Sequence, residues 1–348
     1  MAPPVGSGSG DRPQHIARGW ARFRLTARRC SSFVLTMTSR WKHDKPMSRT
    51  DFDSRFPDDA ACARHLAQLR WPDGFVCPAC GVCKGWELET KRFTWECSGC
   101  HRQTSVTAGT VMHRSKVPLR TWFEAIHLMT SHSNGISAEQ AQAQLRLGSY
   151  KTAWLLLHKL RRAMVNPERS LLQGLVEVDE TEVPLRSQHD PIAGYGIPNV
   201  GKMLIIGAVE LTEDNRPLRI RLEPLADKTG GNVRGFVERA VAPAATVISD
   251  GLPGYRKLSE QREHIGKTVG TMAAHVLLPW IHRAFSNLKR WLMGTLHGAR
   301  KPHLRRYLDE FTFRWNRRRG TASAFDRLLG FAARMDHASM RDFIDQSV

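Results

Sequence analysis

Residues 176–181 read Val176-Glu177-Val178-Asp179-Glu180-Thr181, an alternating run that puts carboxylates into an apolar strand. A second apolar run, Val247-Ile248-Ser249-Asp250-Gly251, ends on an aspartate followed by glycine. A carboxylate within or at the end of a buried strand costs free energy unless it is paired or binds a cation. Asp179 and Asp250 on neighbouring strands would offer hard oxygen ligands suited to Mg²⁺. Two cations held this way suit phosphoryl transfer, one at the attacking oxygen and one at the leaving oxygen. The alternative is that one or both aspartates are turn or cap residues.

Around these runs the periodicity predicts strands at Leu175–Asp179, Met203–Leu211, Leu218–Leu222 and Thr246–Ser249, and a helix over Asn232–Val241. Helical spacing returns after Ile281, where Ile281, Phe285, Leu288 and Leu292 share a face, as do Leu304, Leu308, Phe311 and Trp315. His282 and Lys289 are seven residues apart and so lie on one face of that helix. His282 is a candidate ligand or proton shuttle, and Lys289 a candidate phosphate contact. A structural histidine beside an apolar stripe is the other reading. Eleven Lys/Arg stand between Arg283 and Arg319 against Asp309 and Glu310, which suits either a DNA-backbone surface or a solvated face.

Upstream, Ser137-x-x-Gln140 is a capping-box pattern, and Leu147-Gly148-Ser149 makes a turn before a second helix. Trp154, Leu157, Leu160 and Met164 face inward on that helix. Tyr150, Lys151 and Thr152 lie in its exposed first turn, and Lys159, Arg161 and Arg162 at its far end. This is a candidate helix-turn-helix, in which the start of the second helix reads base edges and the cations hold phosphates. An ordinary packed helix pair is the alternative. Asp58–Leu69 predicts a short helix with Cys62 in the core.

Between these lie Cys77-x2-Cys80 and Cys97-x2-Cys100, with 16 residues between the pairs. Two such pairs close one tetrahedral Zn²⁺ site with no open position, so Zn²⁺ here would be structural. Cys83 breaks the spacing and is a bystander. Seven cysteines in this pattern do not form a secreted disulfide framework, so a reducing cytoplasm is the expected compartment.

The chain has 348 residues, 52 Lys/Arg and 33 Asp/Glu, a formal charge of +19 that points to a polyanion partner. A 41% hydrophobic content supports a buried core, and no apolar run approaches a membrane span, so no membrane partner is expected. The first 46 residues hold nine Lys/Arg and only Asp11 and Asp44 as acids. They read as a disordered basic leader, or as untranslated sequence before a start at Met37 or Met47.

Several motifs occur in a recognisable order: CPAC…CSGC, TAGTVMHRSKVPLRTWFEAIHLM, GISAEQAQAQLRLGSYKTAWLLLHKLR, VEVDET, ISDG, and WIHRAFSNLKRWLMGTLHG running into YLDEFTFRWNRRR. From about Phe52 to Arg319 the chain resembles the bacterial transposases of insertion-sequence family 1595. The resemblance implies an α/β fold, an RNase H-like catalytic domain preceded by a zinc ribbon and a helix-turn-helix. It implies a DDE-type site in which Asp179 is the first acid and Asp250 the second. Ser286-Asn287-Leu288-Lys289-Arg290 sets the register of the third position, which here is His282 where many relatives have Glu or Asn. Lys289 is then the basic partner, and Arg290 a DNA contact.

The expected domains are a leader (1–46), an N-terminal helix and ribbon (47–115), the helix-turn-helix segment (116–168), the catalytic domain (169–320) and a tail (321–348). The implied activity is cleavage and strand transfer of double-stranded DNA at element ends and target, with Mg²⁺ or Mn²⁺. The implied setting is a homo-oligomeric synaptic complex on the bacterial nucleoid. Two alternatives remain open: an inactive or repurposed DNA-binding protein derived from a transposase, and a nuclease or resolvase without strand transfer.

Overall fold

The computed structural model describes residues 45–166, 168–184, 202–260, 262–267 and 274–344. Residues 1–44 of the expected leader, with the Met37 start, lie outside them.

Two short helices open the described chain, α1 (Arg49–Arg55) and α2 (Asp59–Arg70). Ser48 and Asp58 cap them, accepting from the backbone N–H of Asp51 and Ala61. The ribbon follows as an antiparallel sheet of β1 (Gly85–Glu87), β2 (Thr94–Cys97) and β3 (Gln103–Ser105). Next come α3 (Leu119–Ser131), α4 (Ala138–Gln144) and α5 (Tyr150–Ala163). The expected capping box forms: Ser137 Oγ accepts from Gln140 N, and Gln140 Oε1 accepts from Ser137 N, both at 3.1 Å. Ser149 Oγ caps α5 by accepting from Thr152 N.

The second module is a sheet of β4 (Leu175–Pro184), β5 (Lys202–Leu211), β6 (Pro217–Pro224), β7 (Thr246–Ser249) and β8 (His264–Gly266), in the order β6-β5-β4-β7-β8. The β6/β5 and β5/β4 pairs are antiparallel, and the β4/β7 and β7/β8 pairs are parallel. Helix α6 (Gly230–Ala240) connects β6 to β7, and α7 (Ala274–Leu277), α8 (Pro279–Leu296) and α9 (Leu304–Arg317) follow β8. One face buries Val176, Val178, Ile206, Ala208 and Val247 against Val233, Phe236 and Val237 of α6. The other buries Val183, Ile205, Val209, Ile220 and Ile248 against Ile281, Phe285 and Leu288 of α8. Each buried Val, Leu, Ile or Phe side chain contributes roughly 1.5–3 kcal/mol. Three antiparallel strands continued by two parallel ones, with helices on both faces, make this an α/β, RNase H-like sheet.

One feature departs from the expected division of the chain. The segment after residue 320 forms α10 (Ala324–Arg334) and α11 (Arg341–Ile344). Phe325, Leu328, Leu329 and Ala332 recur at helical spacing and are buried with Phe52, Phe56, Phe123, Leu157 and Phe313. The N-terminal helices, the expected helix-turn-helix segment and the expected tail therefore share one core that crosses the boundaries at 115/116 and 320/321.

Candidate active site

Alternation along β4 turns Glu177 and Asp179 toward α8, while Val176, Val178 and Glu180 turn toward α6. Asp179 is 6% exposed, and its Oδ1 accepts from Glu180 N at 2.8 Å. His282 Nε2 lies 3.2 Å from Asp179 Oδ2. Burial pushes the Asp179 carboxyl up to about 7; the Glu180 N–H opposes this, and the Glu180 and Asp250 charges add to it.

Asp250 follows β7 directly. The parallel register pairs Leu175 with Thr246 and Glu177 with Ile248, so two residues further on Asp250 comes level with Asp179. Gly251, at φ +76°, takes a left-handed conformation that turns the chain away after the strand. Asp250 Oδ1 accepts from Leu252 N at 3.1 Å. Asp250 is therefore both a turn residue and a neighbour of Asp179. Asp179, Asp250 and His282 do not bring one ligand atom each within 4.8 Å of one another; among the described residues the ribbon cysteines do.

Two features that bring His282 to Asp179 were not read from the sequence. Glu177 Oε2 accepts from Trp280 N at 2.9 Å and Ile281 N at 2.8 Å. A strand carboxylate thus serves the open N–H groups in the first turn of α8, where no side chain of the helix itself caps. Gly207 pairs with Asp179 across β5. A Cβ there would stand 2.9 Å from both Ile281 Cδ1 and Phe285 Cε1, so the missing side chain lets α8 lie close to the sheet.

Glu180 belongs to the other face. The Tyr255 hydroxyl donates to its Oε1, and Lys228 Nζ is 3.7 Å from Oε2. Burial raises the Glu180 carboxyl above its ordinary range. Glu182 points outward and pairs with Lys202 at 3.1 Å. Lys289 is partly exposed two helical turns along α8 from His282, and Arg290 is exposed.

In the ribbon, Cys77 Sγ is 3.6 Å from Cys100 Sγ, and Cys80 Sγ is 3.5 Å from Cys97 Sγ. A tetrahedron with Zn–S bonds of about 2.3 Å has edges of roughly 3.8 Å, so the four sulfurs fit Zn²⁺. Backbone N–H groups of Cys80 and Ala79 draw the Cys77 thiol down to about 6. At Cys80 the Val82 N–H also lowers, but the Cys100 and Cys97 sulfurs outweigh it and push the thiol up to about 12. Four facing sulfurs resist joint deprotonation unless a cation sits among them. Cys62 is fully buried and Cys83 lies outside the cluster, both as expected.

The helix-turn-helix candidates divide. Tyr150 is 54% exposed, Lys151 is exposed, and the Thr152 hydroxyl is engaged with Ser149 Oγ at the cap. Arg162 is partly exposed and donates to Asp336 O at 3.1 Å. Lys159 and Arg161 do not lie on the outer face as expected. Lys159 is 7% exposed, with its amine 6.0 Å over the Trp122 ring. Arg161 is 1% exposed and bonds Glu310 Oε2 at 2.7 Å. Lys159 is buried against α3 and Arg161 against Glu310 and Tyr307 of α9, so neither is presented on the outer face of the helix.

Comparison with known proteins places these elements in a family. Residues 171–316 match the ISXO2-like transposase domain, and residues 57–103 match the transposase zinc-ribbon domain. Over 153 residues the chain is 30% identical to an uncharacterized protein in transposable element ISH50 of Halobacterium salinarum, a stretch that covers 42% of this chain. The chain spans about half of that relative's length (51%). A structural search also returns the Mos1 mariner paired-end complex with Mn, at a TM-score of 0.25 and 13% identity, covering 59% of this chain and 76% of that one. With both family domains matched in the order of the ribbon and the sheet, the chain belongs to the insertion-sequence 1595 family of transposases.

Proposed function

We propose that this protein binds the terminal inverted repeats of its element and catalyses DNA strand cleavage followed by strand transfer. The observation that carries the reading is the 3.2 Å approach of His282 to Asp179, with Asp250 level with Asp179 on the adjacent strand. Asp179 and Asp250 would hold Mg²⁺ or Mn²⁺, with His282 completing the set. A cation bound there supplies activation of the attacking oxygen and neutralisation of the leaving oxygen. The donor chemistry suits such a role: the buried Asp179 carboxyl feels the charges of Glu180 and Asp250, which Lys228 offsets only in part, and a divalent cation would relieve them.

The chemistry is two in-line displacements at phosphorus. Water breaks a phosphodiester at the element end and frees a 3′-hydroxyl. That hydroxyl then attacks a target phosphodiester, and the protein forms no covalent bond. Asp179 acts in its deprotonated form, and Glu177 keeps α8 docked so that His282 stays beside it. Lys289 offers a point charge to a flanking phosphate. Arg290, Tyr150, Lys151, Thr152 and Arg162 are the proposed DNA contacts, and Zn²⁺ at the four cysteines fixes the ribbon. Synapsis of two ends requires more than one copy of the chain.

A non-catalytic DNA-binding role is the second reading. It is favoured by the local hydrogen bond of Asp250 to Leu252 and by the wider spacing of the three candidate ligands. Purified protein, inverted-repeat DNA and a plasmid target separate the two. Nicked ends captured into the plasmid in Mg²⁺ or Mn²⁺, lost in Asp179→Asn, support the enzyme. Normal end binding without nicking in either metal supports the second reading. Nicking without capture supports a nuclease.

A further inference from the structure

The α6 face of the sheet carries a basic cavity at its β6 edge, away from the acidic site. Along β6, Arg219, Arg221 and Glu223 alternate with Ile220 and Leu222, whose side chains enter the core on the α8 side. Arg221 pairs with Ala208, and Ala208 with Val178. Arg221 is thus two strands, about 10 Å, from Val178. It is on the opposite face from Asp179, so it cannot touch a phosphate being cut there.

A cavity of about 630 Å³ opens at this edge, lined by Arg169, Ser170, Arg221, Glu223, Arg239 and Arg305, with Leu171 beside them. Four guanidinium groups face one carboxylate. Glu223 accepts from Arg239 at 3.0 Å and stands 3.6 Å from Arg305. Arg305 also reaches Asp309 at 3.6 Å. Among the described residues, no carboxylate lies within 4 Å of Arg169 or Arg221. Arg221 is 6% exposed, and among the described residues its guanidinium donates only to the backbone carbonyls of Ile220 (3.1 Å) and Ser170 (3.0 Å). Neighbouring Arg219 is neutralised separately by Glu210, which it grips with two nitrogens.

A charge buried without a counterion is costly, and several like charges more so. Burial, then Arg169 and Arg219, push the Arg221 guanidinium down to about 10 against the more distant Glu210 charge, so it remains charged at neutral pH. The planar, multidentate donors of arginine match the oxygens of a phosphate group.

We propose that this cavity is a phosphate-binding site, separate from the cleavage site, with Arg221 and Arg169 at its base, Arg239 and Arg305 at its rim, and Glu223 as the resident competitor for the rim arginines. Its ligand is a phosphate oxygen cluster, supplied by the backbone of a second DNA segment or by a free polyphosphate.

The test uses the full-length protein, inorganic pyrophosphate as probe, and calorimetric titration, with circular dichroism to verify folding. Glu223→Gln removes the competing charge and frees the rim, so pyrophosphate should bind several-fold more tightly. The double variant Arg239→Gln/Arg305→Gln should bind it at least about tenfold more weakly. Absence of either change, or no binding to the wild type at millimolar pyrophosphate, overturns the proposal. Salt titration of duplex DNA binding identifies the source. A log–log slope reduced by about two in the double variant assigns the site to the DNA backbone. An unchanged slope, with the pyrophosphate effects present, assigns it to a free polyphosphate. The readout is binding, so it stands whether or not the protein cleaves DNA.

Discussion

Glu177 and Ile281 lie 104 residues apart in sequence, yet the Glu177 carboxylate accepts the Ile281 N–H at 2.8 Å. The same oxygen takes the Trp280 N–H, so β4 supplies the cap that α8 lacks. His282 is the next residue on α8, and Asp179 lies two positions along the same face of β4. Glu177→Leu leaves two helix-end donors unsatisfied, that of Ile281 buried and that of Trp280 partly so, and should cost about 1–3 kcal/mol by denaturant unfolding. Its cleavage rate should fall although Asp179, Asp250 and His282 are intact. Glu177→Gln keeps an acceptor and should recover most of both losses. Equal behaviour of the two variants would show that the cap does not position His282.

Arg161 of α5 and Glu310 of α9 form a second long-range tie, this one between the α4–α5 helix pair and a helix that flanks the five-stranded sheet. The pair is fully out of solvent, and Arg314 adds a further contact to Glu310 at 2.8 Å. Removing one member of a buried pair strands the other, so Glu310→Ala should destabilise the protein by about 3–5 kcal/mol. The double change Arg161→Met/Glu310→Leu should recover much of that. Failure to recover would show that the pair itself, rather than the stranded charge, stabilises the contact.

Zinc content offers an independent check on the ribbon. The protein should carry one Zn²⁺ per chain, and Cys97→Ser or strong chelation should remove it. Loss of the metal should open residues 77–100 to protease while the core containing Phe123 and Leu157 stays protected. Full protection of the ribbon after chelation would contradict a structural metal.

His158 gives an acid-sensitive element inside the shared core. It is fully buried, its ring centroid 4.0 Å from that of Trp154 in a tilted contact, and neither ring nitrogen has a hydrogen-bond partner among the described residues. Burial first, then the charges of Arg161, His303 and Arg306, hold its pKa well below the ordinary histidine value. The folded state therefore keeps the ring neutral while the unfolded chain protonates it near 6.5. The contribution is whole above about 6.5 and declines by up to about 1.4 kcal/mol per pH unit below that. His158→Leu should shrink the drop in stability between pH 7.5 and 5.5. An unchanged drop would assign acid sensitivity to other groups.

Local signals in the sequence carried well into the structure. The capping box at Ser137 and Gln140 and the cap at Ser149 depend on residues three apart, and both form. Strand alternation around Asp179 and the Asp-Gly turn at Asp250 are equally local. What the sequence hid depends on distant partners. Arg161 and Lys159 look like surface cations until α9 and α3 bring Glu310 and Trp122 to them. Phe325, Leu328 and Leu329 show helical spacing, but their docking site is built from residues some two hundred positions earlier. Glu177 reads as one more acid in an acidic strand until α8 arrives above it. The arginines of the β6 edge converge from four separate segments.

The most direct measurement is single-turnover cleavage of a labelled element-end duplex in Mn²⁺, comparing the wild type with Asp250→Ala under conditions of equal DNA binding. The expected result is site-specific nicking by the wild type and a loss of at least about a thousandfold in the variant, as befits removal of a group proposed to hold the catalytic cation. Full cleavage by Asp250→Ala would contradict the assignment of Asp179, Asp250 and His282 as the catalytic centre.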